Sequence, residues 1–445
     1  MNRIVLLVAL IISSYIHIEA KQWSLQDCIN YAVENNISIK QKVLTKESAV
    51  EDLKGAKAAY FPSLTASTSQ NLGWQPWKDE YQNTVQNGQA VTSASKTYYN
   101  GMYSVNASWT VWDGNQRRNT IKLDKLAAEA AELDSATTAN SIQEQIVQYY
   151  VQILYTMEAV EVNKKALETA KLNEKRGKEM VEVGKMSKAD LAQLTATTAT
   201  DEYNVVLQEA NLANYKRQLK QILQITNDEE FDVVMPSSTD QQALEQIPAM
   251  STIYEAALVN RPEIESAKLN VEQQKLNVKI AQSGYMPTIS LSGSLGTNTT
   301  SLTDTKWGTQ MKTNFTGGAG VTVSIPIYDQ RKTKTSVNKA KINELNSVLS
   351  LRNQEVTLYS NIEKYWLDAT SNQSKYKAAK VSTESAQASY DLLSEQFRLG
   401  LKNIVELMTG KDKLLTAQQN ELQSKYTTIL NQQMLKFYKG EDMKL

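Results

Sequence analysis

Histidine and cysteine are almost absent from this 445-residue chain, which has one of each, His17 and Cys28. A single cysteine cannot form a disulfide within the chain. His17 lies in a segment that we expect to be removed, so the mature chain would offer no His/Cys site for zinc or copper. The same count excludes a Ser-His-Asp or Cys-His catalytic set. We therefore expect no metal site and no nucleophilic catalysis of these kinds.

An excess of charge of one sign and long hydrophobic runs are also missing. Lysine and arginine together number 48, as do aspartate and glutamate, so nothing indicates a nucleic-acid-binding surface. No stretch beyond residue 20 has the roughly 18 consecutive apolar residues that indicate a transmembrane helix.

Proline and glycine are scarce and unevenly placed. Residues 115–176 and 327–399 contain neither residue type. In both segments apolar residues recur at intervals of three and four, which predicts two very long helices with an apolar stripe. In the first segment the stripe includes Ile142, Ile146, Tyr149 and Ile153. A helix of about 60 to 70 residues would extend roughly 100 Å.

The first 20 residues predict a secretory signal peptide. Arg3 supplies a positive charge, residues 4–12 are apolar, and Ile18-Glu19-Ala20 fits a cleavage site. A retained N-terminal anchor is the alternative interpretation. Cys28 follows Gln26-Asp27 beyond the predicted cleavage site, so it does not fit the pattern of a lipidated cysteine.

Two parts of the chain resemble each other. YFPSLTAS at residue 60 and YMPTISLS at residue 285 are 225 positions apart. Further along, VWDG at residue 111 matches IYDQ at residue 327, and VGKMSKADL at residue 183 matches LGLKNIVEL at residue 399, both at 216 positions. This order predicts a tandem repeat. We place the repeats at 21–226 and 250–438, joined by a linker at 227–249.

Each repeat predicts the same series of elements. Residues 24–59 and 250–284 are rich in helix-favouring residues. Polar and apolar residues then alternate, which predicts a β-hairpin at about 62–112 and another at about 287–328. In one strand Tyr103, Val105, Ala107 and Trp109 alternate with Ser104, Asn106 and Ser108. A long helical hairpin follows in each repeat, with turns at Gly184 and Gly400.

Strands of this kind, in an exported chain without a spanning helix, favour an outer-membrane β-barrel. Only a closed sheet satisfies every backbone group in lipid, and aromatic residues near the strand ends fit an interfacial girdle. These include Trp74, Trp77, Trp112 and Tyr328. Four strands cannot close a barrel, because the smallest known spanning barrels have eight. Several chains must then contribute. A soluble sheet with one wet face, and a solid fibrous coiled coil, are the alternatives.

These motifs in their duplicated order resemble the TolC family of outer-membrane efflux proteins, over nearly the whole mature chain. The resemblance implies a mixed α/β membrane protein that forms a homotrimer. Four strands per chain would build one transmembrane β-barrel in the outer-membrane lipid. A long α-helical coiled-coil barrel would continue it through the periplasm. A periplasmic adaptor and an inner-membrane pump are the implied partners.

In that family the second helical turn carries the tunnel constriction. Its residues are an aromatic three positions before the glycine, a base two after it and an acid six after it. The corresponding residues are Phe397, Lys402 and Glu406, and the first turn has Asp190 as its acid. Typical members have Tyr and Arg at the first two positions, and often a second acid where this chain has Thr409. Phe397 therefore lacks the hydroxyl, and Lys402 acts as a point charge.

We expect a gate held by Lys402 with Asp190 or Glu406, unless these are ordinary solvated helix charges. The resemblance also implies that the adaptor contacts the two turns. The proposed contacts are Gly184, Lys185, Met186, Gly400 and Leu401.

The leading functional hypothesis is a passive exit duct for efflux or type I secretion. A structural periplasmic coiled-coil protein without a pore is the second hypothesis. An enzyme is not expected, since the clearest carboxylate cluster, Asp228-Glu229-Glu230, lies in the polar linker and has no nucleophile-base pair, phosphate loop or metal spacing beside it. No cofactor is expected either. Drugs, metals and polypeptides all remain open as substrates, with drugs favoured by their frequency in the family.

Overall fold

The structure is a computed structural model that describes residues 22–77, 83–86, 89–92, 96–226, 231–237 and 239–445. The predicted signal peptide and the Asp228-Glu229-Glu230 run lie outside the described residues. The chain forms two compact units. The sheet unit comprises Thr45–Ala131 and Ala267–Leu351, and the helical unit comprises the described residues up to Leu44 with Glu132–Ser266 and Arg352–Leu445.

The first repeat begins with a short strand and continues through two helices, a set of strands and two long helices. Its elements are β1 (Gln22–Trp23), α1 (Leu25–Asn35), α2 (Ile37–Ala58), β2 (Ser63–Trp74), β3 (Asn83–Gln86), β4 (Gln89–Thr92), β5 (Thr97–Trp112), α3 (Gln116–Glu182) and α4 (Lys188–Leu223). The linker contains β6 (Asp232–Val233) and α5 (Thr239–Ala243).

The second repeat has the same plan. Its elements are α6 (Met250–Asn260), α7 (Pro262–Ser283), β7 (Thr288–Thr300), α8 (Trp307–Thr313), β8 (Thr316–Ser324), α9 (Lys332–Arg398) and α10 (Ile404–Lys439). Helices α3 and α9 both have 67 residues. Helices α4 and α10 both have 36. The internal repeat predicted from the sequence is thus confirmed as a repeat of structure.

The opening helix of each repeat is broken in two, which the sequence pattern did not predict. The break falls at Asn36 in the first repeat and at Arg261 in the second, 225 positions later, and both residues have extended backbone. The Asn36 side-chain oxygen accepts a hydrogen bond from the Ser38 backbone N–H at 2.9 Å, which starts a new helix. Arg261 precedes Pro262, whose ring disfavours helical backbone at the residue before it.

The sheet unit contains a four-stranded antiparallel sheet in the order β2-β5-β7-β8. Its register brings apolar residues together on one face and hydroxyl or amide residues together on the other. The apolar face carries Val105, Trp109, Leu291, Leu295, Val321 and Val323, and the polar face carries Ser67, Ser104, Asn106, Ser292, Ser294 and Thr322. None of the four strands contains a charged residue.

The end of β7 is completed by a side chain instead of a strand. Because β8 begins opposite Gly296, the last residues of β7 have no partner in β8. The Gln310 amide fills this place: it accepts from the Thr300 N–H at 2.7 Å and donates to the Thr300 carbonyl at 2.9 Å. Asn314 donates to the Asn298 carbonyl at 2.8 Å. The loop after β7 is therefore fixed to the sheet by backbone-like hydrogen bonds.

The VWDG and IYDQ motifs mark the points where a strand gives way to a long helix. Asp113 accepts from the Arg117 N–H at 3.1 Å, and Asp329 accepts from the Thr333 N–H at 2.7 Å. Each aspartate therefore satisfies a free N–H group of the first helical turn. Left-handed backbone follows each aspartate, at Gly114 and Asn115 and again at Gln330 and Arg331.

In the helical unit the linker is bound to helices of both repeats. β6 pairs in parallel with β1, and the buried Tyr150 hydroxyl of α3 lies 2.9 Å from the Val234 carbonyl and 3.2 Å from the Trp23 carbonyl. Burial raises the pKa of Tyr150 above its usual range. On α9, Trp366 donates to the Pro248 carbonyl at 3.0 Å.

We find no helix among the described residues that has both the length and the apolar character needed to cross a bilayer.

Tyr150→Phe tests the attachment of the linker. Loss of the hydroxyl removes the hydrogen bond to the Val234 carbonyl, so we expect the free energy of unfolding to fall by about 0.5–1.5 kcal/mol. A lower thermal midpoint of the purified protein would show this. Tyr149→Phe, at a half-buried tyrosine, is the control and should leave the midpoint unchanged. Equal midpoints for both variants would contradict the role of the hydroxyl.

Candidate functional site

The first helical turn joins α3 to α4 through Gly184. This residue has φ of +70°, and a Cβ built there would meet no atom within 4 Å. The turn therefore needs glycine for its backbone conformation and not for space. The Lys185 N–H donates to the Met180 carbonyl at 2.8 Å and closes the end of α3.

The second helical turn repeats this geometry at Gly400, 216 positions later. Gly400 has φ of +75° and also has open space around it. The Leu401 N–H donates to the Gln396 carbonyl at 2.9 Å. This bond corresponds to the one from Lys185 to Met180 in the first turn. Both turns therefore have the same chain reversal, although only the glycine and the closing leucine, Leu191 and Leu407, are identical in the two motifs.

Each turn carries an N-cap residue for the helix that follows, Ser187 for α4 and Asn403 for α10. The Asp190 N–H donates to the Ser187 hydroxyl at 3.1 Å, and this hydroxyl lies 2.8 Å from the Asp190 carboxylate. In the second turn, the Glu406 N–H donates to the Asn403 side chain at 2.9 Å, and the Asn403 N–H donates to the Glu406 carboxylate at 3.3 Å. Glu406 thus completes a capping box, whereas the Asp190 carboxylate accepts a hydrogen bond from the capping Ser187 hydroxyl.

Glu406 also forms an ion pair with Lys402, one helical turn before it. Both side chains are 38% exposed, so water screens the pair and its contribution to stability is small. The hydrogen bond from Lys402, and then that from the Asn403 N–H, lowers the pKa of Glu406. The carboxylate therefore stays charged to lower pH than an ordinary glutamate.

Phe397 lies away from this pair, in the hydrophobic cluster of the turns. Its side chain is 5% exposed within one chain. We call this group the turn cluster; its buried members are Leu194, Tyr390, Phe397, Ile404, Leu407 and Leu414, with Met186 packed against them. The structure thus brings Lys402 and Glu406 together, while Asp190 bonds to Ser187 and Phe397 packs in the cluster.

One feature of this region was not found from the sequence. Asp201 of α4 forms an ion pair with Lys411 of α10, and the two side chains are 7% and 8% exposed. A signal was present: Asp201 continues the apolar stripe of Leu194 and Val205, and Lys411 lies between Leu407 and Leu414 in the stripe of α10. A charge at a stripe position indicates a buried partner.

The surface of the turns exposes four large apolar side chains. Val183, Leu399, Leu401 and Val405 are each more than half exposed. Lys185 is also exposed. In the described part of the chain, no group of His, Cys, Asp or Glu residues is arranged to hold a metal ion.

The chain matches known proteins over most of its length. The family model of outer membrane efflux proteins matches residues 28–224 and 253–441. The chain is 22% identical over 399 residues to the outer membrane efflux protein BepC of Brucella suis biovar 1, with 90% of this chain and 81% of that protein covered. It is 21% identical over 415 residues to the outer membrane protein TolC of Escherichia coli K12, with 90% and 79% covered.

Among solved structures, the fold is similar to that of the CmeC outer membrane channel of Campylobacter jejuni. The TM-score is 0.76 at 21% identity, with 94% of this chain and 86% of that chain covered. The fold is therefore that of an outer-membrane channel subunit. The chain belongs to the outer membrane efflux protein family. It is an outer-membrane exit duct with a large periplasmic helical part, and members of this family are channels and not enzymes.

Phe397→Ala tests the packing of the turns. A cavity in the turn cluster should cost about 3–5 kcal/mol and loosen both turns. We expect trypsin to cleave the purified variant faster near Lys185 and Lys402 than it cleaves the unaltered protein. Leu401→Ala, at a side chain that is 70% exposed, is the matched control. The same cleavage rate for Phe397→Ala and this control would contradict a packing role.

Proposed function

We propose that three copies of the chain close one twelve-stranded barrel, and that this trimer is the exit duct of a tripartite efflux or type I secretion system. The observation that carries the proposal is the charge-free four-stranded sheet with two open edges. The substrate stays undetermined, with drugs, metals and polypeptides as the candidates.

The sheet edges supply the physical argument. β2 and β8 each pair with one neighbour and present a second edge without a partner in the described chain. Hydrocarbon cannot satisfy these backbone groups, so the edges must pair with other copies. The apolar face suits lipid, and the face of serine, threonine and asparagine suits a water-filled lumen.

The number of copies follows from strand count together with family membership. One chain contributes four strands, and two copies would reach only the eight of the smallest spanning barrels, whose interior is filled by side chains. Three copies give twelve strands. The small side chains of the polar face would then leave an open lumen.

Partner binding is assigned to the helical turns. Their exposed apolar residues, Val183, Leu399, Leu401 and Val405, form a surface that water does not favour. We assign this surface, with Gly184, Lys185, Met186 and Gly400, to contact with a periplasmic adaptor. An inner-membrane pump would deliver the substrate through that adaptor.

The gate is assigned to Lys402, Glu406 and Asp190. A threefold axis would bring three Glu406 carboxylates around the tunnel opening, and such a ring favours cations over anions. Asp190 would provide the acid facing Lys402 from a neighbouring helix. Phe397 would support the gate through the turn cluster, since its ring is buried.

The barrel is tested with a pair of neighbouring substitutions on β7. Leu291→Lys places a charge on the face assigned to lipid, which should cost about 2–4 kcal/mol and prevent stable trimers. Ser292→Lys places the same charge on the face assigned to the lumen and should be tolerated. We expect the unaltered protein and Ser292→Lys to give a trimer mass in detergent and ion conductance in planar bilayers.

Two results would contradict this proposal. A monomer without conductance would favour the alternative, a structural periplasmic coiled-coil protein without a pore. Equal tolerance of both lysines would show that the two faces of the sheet are not in lipid and water.

The gate is tested with Asp190→Asn and Glu406→Gln in one chain. Both amides keep a side-chain oxygen for the helix cap but remove the charge, so the helices should persist. We expect a higher single-channel conductance and weaker preference for cations. Glu355→Gln, which breaks an ion pair with Arg352 elsewhere on α9, is the control. Unchanged conductance and ion preference in the double variant would refute the gate assignment.

A further inference from the structure

The ion pair between Asp201 and Lys411 is the most deeply buried in the region of the turns. The two residues lie 210 positions apart, one on the return helix of each repeat, α4 and α10. Their side chains are 7% and 8% exposed. The pair therefore joins the two repeats directly and is shielded from water.

Stability alone does not explain this pair. Removing two charges from water costs free energy. Apolar residues of similar volume at such positions commonly give equal or higher stability. A buried polar pair does what apolar packing cannot, because it is satisfied in only one alignment of the two helices. The turn cluster beside it is apolar and would tolerate other alignments.

A second contact shows how the two helices run. The Thr197 hydroxyl lies 4.0 Å from the Met408 sulfur. Thr197 is four residues before Asp201, and Met408 is three residues before Lys411. In both helices the residue of the second contact comes later in the sequence than that of the first. Helices α4 and α10 are therefore parallel here. A shift of one helical turn, about 5.4 Å, would separate Asp201 from Lys411.

The surroundings of Lys411 allow little movement. A Cβ added at the adjacent Gly410 would lie 2.7 Å from the Leu393 side chain of α9. Helices α9 and α10 are therefore in close contact beside the pair. Any axial shift of α10 against α4 would carry the second turn with it.

We propose that Asp201 and Lys411 are positioning residues that fix the axial alignment of α4 and α10. They thereby hold the Asp190 turn level with the turn that carries Lys402 and Glu406. This inference rests on the proposed duct function, and it adds a second requirement for a closed gate. In this role the pair does not contact the residues of the tunnel opening. It fixes the positions at which those residues face one another.

The test uses a double variant, Asp201→Leu with Lys411→Met, because each single substitution leaves one charge buried alone. We expect either single substitution to lower the thermal midpoint of the trimer, and the double variant to recover it. The double variant should nevertheless show severalfold higher single-channel conductance in planar bilayers, because the turns are no longer held level.

The reversed pair provides the rescue. Asp201→Lys with Lys411→Asp keeps a buried ion pair between α4 and α10 and should restore the low conductance of the unaltered protein. The same high conductance in the reversed pair and in the double variant would show that the pair does not set the alignment.

The matched control removes another shielded pair of the helical unit, Lys425 with Glu158, where Lys425 is also 8% exposed. Glu158→Gln with Lys425→Met should leave the conductance unchanged. Wild-type conductance of the Asp201→Leu/Lys411→Met variant would overturn the inference, as would failure of that variant to recover its thermal midpoint. Absence of conductance in the unaltered protein would instead overturn the duct proposal on which the inference rests.

Discussion

An open sheet edge cannot face hydrocarbon, because its N–H and carbonyl groups would find no hydrogen-bond partner there. This constraint organises the whole chain. Each repeat supplies one hairpin, the two hairpins join through β5 and β7, and the outer edges of β2 and β8 have no partner strand in the described part of the chain. The long helices have a similar but weaker requirement, because their apolar stripes need to be buried against other helices. In the proposed trimer, neighbouring copies would complete both parts of the chain together.

Duplication explains why the two halves match so closely in length. The long helices of the two repeats begin 216 positions apart and have equal lengths, so Gly184 and Gly400 follow them at equivalent positions. In the first repeat the segment before that point is nine residues longer. The difference lies within the hairpin and its loop, where an insertion does not alter the helices. Equal helices thus keep the two turns at equivalent places in the two repeats.

Much of this architecture could be predicted from residue patterns. Period-two alternation located the strands, and the absence of proline and glycine located the long helices. The break at Asn36 was missed because an asparagine within a helix-favouring segment is common, and only its bond to Ser38 shows that it starts a new helix. The burial of Phe397 was missed because its position in a family motif carries no information about packing. The pairing of Asp201 with Lys411 depends on contact between helices 210 positions apart, which a linear pattern cannot specify.

The two turns combine local and long-range roles in the same residues. Glu406 caps α10 and pairs with Lys402, so a change of this residue alters helix structure and charge together. Amide substitutions separate these roles because they keep the capping oxygen. The turn cluster and the buried ion pair then divide the work of packing and alignment. Apolar packing stabilises the contact between the helices but does not fix their axial alignment. The ion pair fixes the alignment and adds little stability.

The charge-free strands have a consequence for the environment in which the protein works. The four strands contain no Asp, Glu, His, Lys, Arg or Cys. Acidification of the external medium therefore leaves the charge of the strand walls unchanged. Sensitivity to acid belongs to carboxylates elsewhere, such as Glu406, whose pKa is held below its usual range. The four strands are thus the part of the duct that acid alters least.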